Sequence, residues 1–114
     1  MDVLKVKKII ENSLENNKAK NIVSIDIRKK SFIADFIIIA SGTSSRHLQS
    51  IADNIIDELK SKGLNGRIEG LESEDWKLVD AINIIIHLFH PEKRSFYDLE
   101  KMWSEPIPKE KAMI

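Results

Sequence analysis

Apolar residues recur along the chain with two periods, and the switches between them mark out its elements. Val3, Val6, Ile10 and Leu14 are spaced three and four apart with lysines and Glu11 between them, which predicts an amphipathic helix over 2–17. The polar run ENNKAKN ends it. Ile22–Ile27 (IVSIDI) alternates, as a strand with one buried face does. RKKSF is a polar connection and turn. Asp35–Ala40 (DFIIIA) is apolar at consecutive, β-branched positions, which predicts a strand covered on both faces, in the middle of a sheet.

Leu48, Ile51, Ala52, Ile55, Ile56 and Leu59 form one broad stripe, so a second helix is expected over 44–62, with Thr43 or Ser44 as N-cap and Gly63 in the left-handed position past its end. GRIEG (66–70) reads as a short strand and ESED as a loop. WKLVD (Trp76–Asp80) and INIIIHLF (Ile82–Phe89) read as two strands around Ala81. In the latter, Ile82, Ile84, Ile86 and Leu88 share one face, and Asn83, Ile85, His87 and Phe89 the other. Pro91 stops that strand, EKRSFYDLEKMW (92–103) reads as a closing helix, and SEPIPKEKAMI as a loosely held tail. The order α-β-β-α-β-β-β-α indicates an α+β fold with α/β-like layers: a mixed sheet with helices packed on it. The helix over 44–62 is a right-handed crossover if strands 35–40 and 66–70 are parallel.

Length and charge narrow the field. At 114 residues the chain is most simply one domain, expected over 1–104 with a short tail over 105–114. Eighteen Lys and Arg balance 18 Asp and Glu, so no global basic field exists, and binding that rests on many phosphate contacts is disfavoured; no specific nucleic-acid binding is expected. The lack of cysteine excludes disulfides, thiolate metal sites and cysteine nucleophiles. Charges at Asp2, Lys5, Lys7 and Lys8 interrupt the N-terminus, unlike a signal peptide, and the longest apolar run, Phe36–Ala40, is too short to span a bilayer. A soluble, cytoplasmic protein without a membrane partner is expected.

The turn Ser41-Gly42-Thr43-Ser44-Ser45, between an apolar strand and a helix, has the form in which phosphate-binding loops begin. It lacks the Lys of a Walker loop and the three glycines of a dinucleotide fingerprint. Nucleotidyltransferase-like domains use such a turn, with paired strand carboxylates that hold metal ions. Here Asp26, Glu69 and Asp80 stand singly on the strands, and Glu72 and Glu74 fall in a loop. The residues fit an inactive relative of that fold better than an enzyme. His87 and His90 lie on opposite faces of a strand and lack a third ligand, so no metal is expected; nothing orients a triad of Ser41, His47 and an acid. The core is the ordinary place for a tryptophan, and Trp76 and Trp103 both suit it; Trp76, flanked by Glu74, Asp75 and Lys77, is less comfortably internal and also suits a binding surface.

Three segments together carry a family resemblance: the Ala40-Ser41-Gly42-Thr43-Ser44-x-Arg46-His47 turn, the Trp76-x-Leu78-x-Asp80 strand, and His90-Pro91-x-x-Arg94-x-Phe96-Tyr97-x-Leu99-Glu100. In order and content, from the first helix to Trp103, the chain resembles the Iojap-like ribosomal silencing factors (RsfS). It departs where the family commonly has an Asp-Tyr/Gly-Asp turn, having Asp80-Ala81-Ile82-Asn83. The resemblance implies a nucleotidyltransferase-like fold without the catalytic carboxylates, and a factor that is not an enzyme and needs no cofactor. It also implies binding to the large ribosomal subunit through universal ribosomal protein fourteen, where the factor blocks joining of the small subunit and represses translation. Family members also form homodimers. The positions matching the family's motif, Trp76, Leu78, Asp80, His90, Tyr97, Leu99 and Trp103, become the expected protein-binding patch. The competing reading is a nucleotide-binding or nucleotidyltransferase-like enzyme using Gly42–Ser45.

Overall fold

In the computed structural model, which describes residues 2–30, 32–70 and 75–91, Asp2 starts helix α1 (Val3–Asn16) from an extended conformation. Its carboxylate accepts the Leu4 amide hydrogen at 3.4 Å. Lys18, at φ 60°, reverses the chain, and the Ala19 N–H returns to the Leu14 carbonyl at 2.9 Å. Strand β1 (Lys20–Asp26) follows at once and pairs antiparallel with β2 (Phe36–Ser41). Its register shifts between Lys20 and Val23, where Asn21 sits at φ 51°. β1 is an edge strand, and such a bulge disrupts the ladder another chain could extend.

Helix α2 (Ser45–Ser61) is capped by Ser44 and ends at Gly63, whose φ of +74° is the left-handed conformation glycine adopts without strain. Three strands complete the sheet: β3 (Arg67–Glu69), β4 (Trp76–Asp80) and β5 (Ile84–Phe89). Their order is β1-β2-β5-β4-β3; β2 and β5 are parallel and every other pair is antiparallel, so the sheet is mixed. β2 is an interior strand, as its unbroken apolar run requires, but the centre belongs to β5. β2 and β3 run in the same direction with β5 and β4 between them, so α2 joins strands that are not neighbours.

Both faces of β2 and β5 are buried. Phe36, Ile38 and Ala40 of β2 and Ile84, Ile86 and Leu88 of β5 meet Ile10 and Leu14 of α1 and Leu48, Ile51, Ile55 and Leu59 of α2. Each of the Ile, Leu and Phe side chains contributes about 1.5–3 kcal/mol on full burial, and a one-residue slip of either strand would forfeit this on the whole face. The opposite face gathers Ile37, Ile39, Ile85 and Phe89 with Ile27 and Ala34 from the β1–β2 connection; Trp76 and Leu78 pack against them. Among the described residues no helix covers that face.

One sequence expectation is corrected. Ile82 does not begin β5 or share the face of Ile84; it lies in the β4–β5 turn at φ 67°, 66% exposed. The Asn83 N–H reaches back two residues to the Ala81 carbonyl at 2.8 Å, closing a γ-turn with Ile82 at its centre. The Ala81 N–H bonds the Ile84 carbonyl, so the chain reverses inside the apolar alternation. The expected closing helix over 92–103 and the tail lie outside the described residues.

Candidate functional site

The turn before α2 is occupied by its own side chains. Ser44 Oγ accepts the His47 amide hydrogen at 3.0 Å, and His47 Nδ1 accepts the Thr43 amide hydrogen at 2.9 Å. Nδ1 being an acceptor, the ring proton sits on Nε2, which donates to the Asn17 carbonyl at 2.8 Å. His47 thus links the start of α2 to the end of α1, and Asn54 adds a second tie by donating to Asn17 Oδ1 at 2.7 Å. The Gly42 N–H bonds the Phe89 carbonyl at 3.0 Å. A Cβ on Gly42 would lie 2.8 Å from Leu48 Cδ2, so any larger residue here must displace the buried Leu48 side chain.

Acidic groups are likewise engaged. Arg28 forks onto Asp26 with contacts of 2.6–3.1 Å, and these bonds hold the Asp26 carboxyl down at about 2. Asp80 meets Arg67 at 3.2 Å. Among the described residues no group of three or more His, Asp or Glu is placed to hold a metal ion.

Trp76, Leu78 and Asp80 alternate with the buried Lys77 and Val79, which puts the three expected binding residues on the sheet face away from α1 and α2. All three are half-buried. Trp76 lies opposite Phe89 and Leu78 opposite His87. The indole N–H of Trp76 points to His87 Nδ1 at 3.4 Å, with the two rings 6.5 Å apart and inclined by 30°. On its other side the indole covers Gly70, where an added Cβ would meet Cε3 at 2.8 Å. The Lys77 ammonium donates to the Gly70 carbonyl at 2.8 Å, so adjacent residues of β4 grip one glycine from both faces. Asp80 also shapes the turn, since its Oδ1 accepts the Ile82 amide hydrogen at 3.0 Å. His90 stands just past β5 at the Trp76 end, its N–H bonded to the Asp75 carbonyl at 2.9 Å. Tyr97, Leu99 and Trp103 lie outside the described residues.

His87 and Gly70 are the neighbours that motif matching did not find. A histidine within INIIIHLF breaks an otherwise apolar run and was the available signal. Its pairing with Trp76 depends on the β4–β5 register. His87 is 1% exposed, and burial pushes its imidazole down to about 4.

Residues 2–113 match the family model described as "Ribosomal silencing factor during starvation". A protein of Zymomonas mobilis named ribosomal silencing factor RsfS is 48% identical over 97 residues, covering 84% of this chain and 73% of that one. The mouse protein named mitochondrial assembly of ribosomal large subunit protein 1 is 34% identical over 95 residues, 80% of this chain and 42% of its own length. A crystal structure of a Chromobacterium violaceum protein superposes with a TM-score of 0.88 at 32% identity, over 96% of this chain and 92% of that one.

Proposed function

The chain belongs to the RsfS family of ribosomal silencing factors, and from that premise we propose that it binds the large ribosomal subunit through universal ribosomal protein fourteen. Bound there, it occupies space the small subunit needs, so the subunits do not join and translation is repressed in the cytoplasm. This is a steric task rather than a catalytic one, and it asks for a complementary surface instead of reacting groups.

The observation that carries the reading is the placement of Trp76, Leu78 and Asp80, all family-motif positions, on one face of β4. An aromatic, an aliphatic and an acid side by side suit an interface core with a polar rim. His90, Tyr97, Leu99 and Trp103 complete the proposed patch. The name of the mouse relative, which refers to the ribosomal large subunit, supports the choice of subunit. A homodimer belongs to the same reading and is measured by light scattering.

Pure protein should pellet with purified large subunits and lower the yield of joined ribosomes on a sucrose gradient. Trp76→Ala removes the anchor and should weaken binding by about 2 kcal/mol, roughly thirtyfold. The reading fails if wild-type protein neither pellets with large subunits nor reduces joining. Sustained magnesium-dependent turnover of nucleoside triphosphate would favour the enzyme in its place.

A further inference from the structure

Position 87 lies within an apolar strand, on the face of Ile85 and Phe89, where a hydrocarbon side chain would need no hydrogen bonds. A buried histidine stands there instead. Its ring stacks nearly parallel on Phe89, 5.8 Å away at 3°, and its Nδ1 faces the Trp76 indole nitrogen at 3.4 Å. An indole N–H only donates, so Nδ1 must carry the lone pair and the proton must sit on Nε2. Among the described residues, that buried Nε2–H has no acceptor. An unpaired buried donor works against stability, so packing alone does not explain the imidazole. Its polar contact among the described residues goes to Trp76, whose indole also lies close against Gly70.

We propose that His87 is a positioning residue for partner recognition: its Nδ1 holds the Trp76 indole in the pose that the large-subunit protein recognises. The inference rests on the reading that Trp76 anchors this partner. A side chain that weakens the fold while orienting an interface anchor follows the usual opposition between stability and function.

The test compares wild type, Trp76→Ala, His87→Phe and His87→Asn by co-sedimentation with purified large subunits, alongside thermal melting. Phenylalanine keeps a ring for stacking and deletes both nitrogens; asparagine returns an acceptor oxygen near the Nδ1 position. His87→Phe should melt at or above the wild-type temperature yet bind about fivefold more weakly, the worth of one neutral hydrogen bond. His87→Asn should regain binding relative to His87→Phe. In a Trp103→Phe background, where Trp76 is the sole tryptophan, its emission should shift in His87→Phe. In Trp76→Phe, which lacks the indole N–H, adding His87→Phe should weaken binding no further.

Wild-type affinity in His87→Phe, with binding lost in Trp76→Ala, overturns the proposal and leaves the interface reading intact. Normal binding by Trp76→Ala defeats the interface reading itself. A lower melting temperature in His87→Phe with a matching loss of binding marks a structural histidine and also overturns the proposal. Should that variant not fold, unchanged affinity of Trp76→Phe overturns it, and weakened affinity restored by no ring lacking an N–H supports it.

Discussion

Asp80 holds Ile82 in a conformation that isoleucine disfavours: Oδ1 accepts the Ile82 amide hydrogen at 3.0 Å while Ile82 sits at φ 67°. A left-handed β-branched residue carries about 1–2 kcal/mol of strain, and at 66% exposure Ile82 recovers little of it by burial. Ile82→Gly should therefore stabilise the fold by about 1 kcal/mol, raising the melting temperature by roughly 4 °C. A lower melting temperature would show that the Ile82 side chain contributes more to packing than its exposure suggests.

Asp80→Ala removes the same turn bond and should destabilise by about 1 kcal/mol. The Arg67 pair adds little, because the Arg67 side chain is 75% exposed. Asp80→Asn keeps an acceptor oxygen and should melt close to wild type. Any loss of large-subunit binding in Asp80→Asn then reports the carboxylate charge at the proposed interface, separated from its role in the turn.

Gly42→Val should damage folding. Its Cβ would fall 2.8 Å from Leu48 Cδ2 and 3.3 Å from His47 Nδ1, against a leucine with no exposed surface. Overpacking of this kind costs about 1–3 kcal/mol, read as a lower urea midpoint. An unchanged midpoint would mean that Leu48 repacks freely.

Gly63→Ala and Gly70→Ala form a matched pair. Both glycines have positive φ, +74° and +79°, so both substitutions introduce similar backbone strain of about 1 kcal/mol. Around Gly63 an added Cβ meets nothing within 4 Å, whereas at Gly70 it meets the Trp76 ring and carbonyl at 2.8–2.9 Å. Only Gly70→Ala should change tryptophan emission and weaken large-subunit binding. Equal effects would detach Gly70 from the proposed site.

His87 predicts a pH dependence of stability. Burial lowers its pKa from the ordinary 6.5 to about 4, so between these values the unfolded chain binds a proton that the folded one does not. Stability from this group is therefore complete above pH 6.5, is lost as pH falls, and levels off below about 4. The loss is of order 3 kcal/mol. Over this interval His87→Phe should show a flatter melting temperature against pH than wild type; parallel curves would assign the slope to other groups.

Much of this architecture was legible because burial leaves a period in the sequence. The consecutive apolar residues of β2 announced an interior strand, and the stripe from Leu48 to Leu59 announced α2. Ile82 was misread for a physical reason: hydrophobic alternation continues through Ala81 to Ile84 although the backbone reverses there, and periodicity does not register φ. The shared face of Trp76, Leu78 and Asp80 followed from alternation within one strand. The contacts of Trp76 with His87 and Gly70 did not, because they depend on how β4 lies against β5 and β3. The tie from His47 to Asn17 spans 30 residues and was equally hidden.

The central place of β5 has a bearing on how the chain acquires its shape. Among the described residues β5 is the last strand, yet it separates β2 from β4, so the two halves of the sheet have no shared ladder until Ile84–Phe89 arrives. Before then β1 and β2 can form a hairpin and β3 and β4 another, each with a raw apolar edge. Long-range parallel pairing of this kind is slow to form, since a loop of more than forty residues must close first. The topology thus predicts a late closure around one six-residue strand, and a nascent chain ending at Asn83 should hold two marginal hairpins instead of a domain.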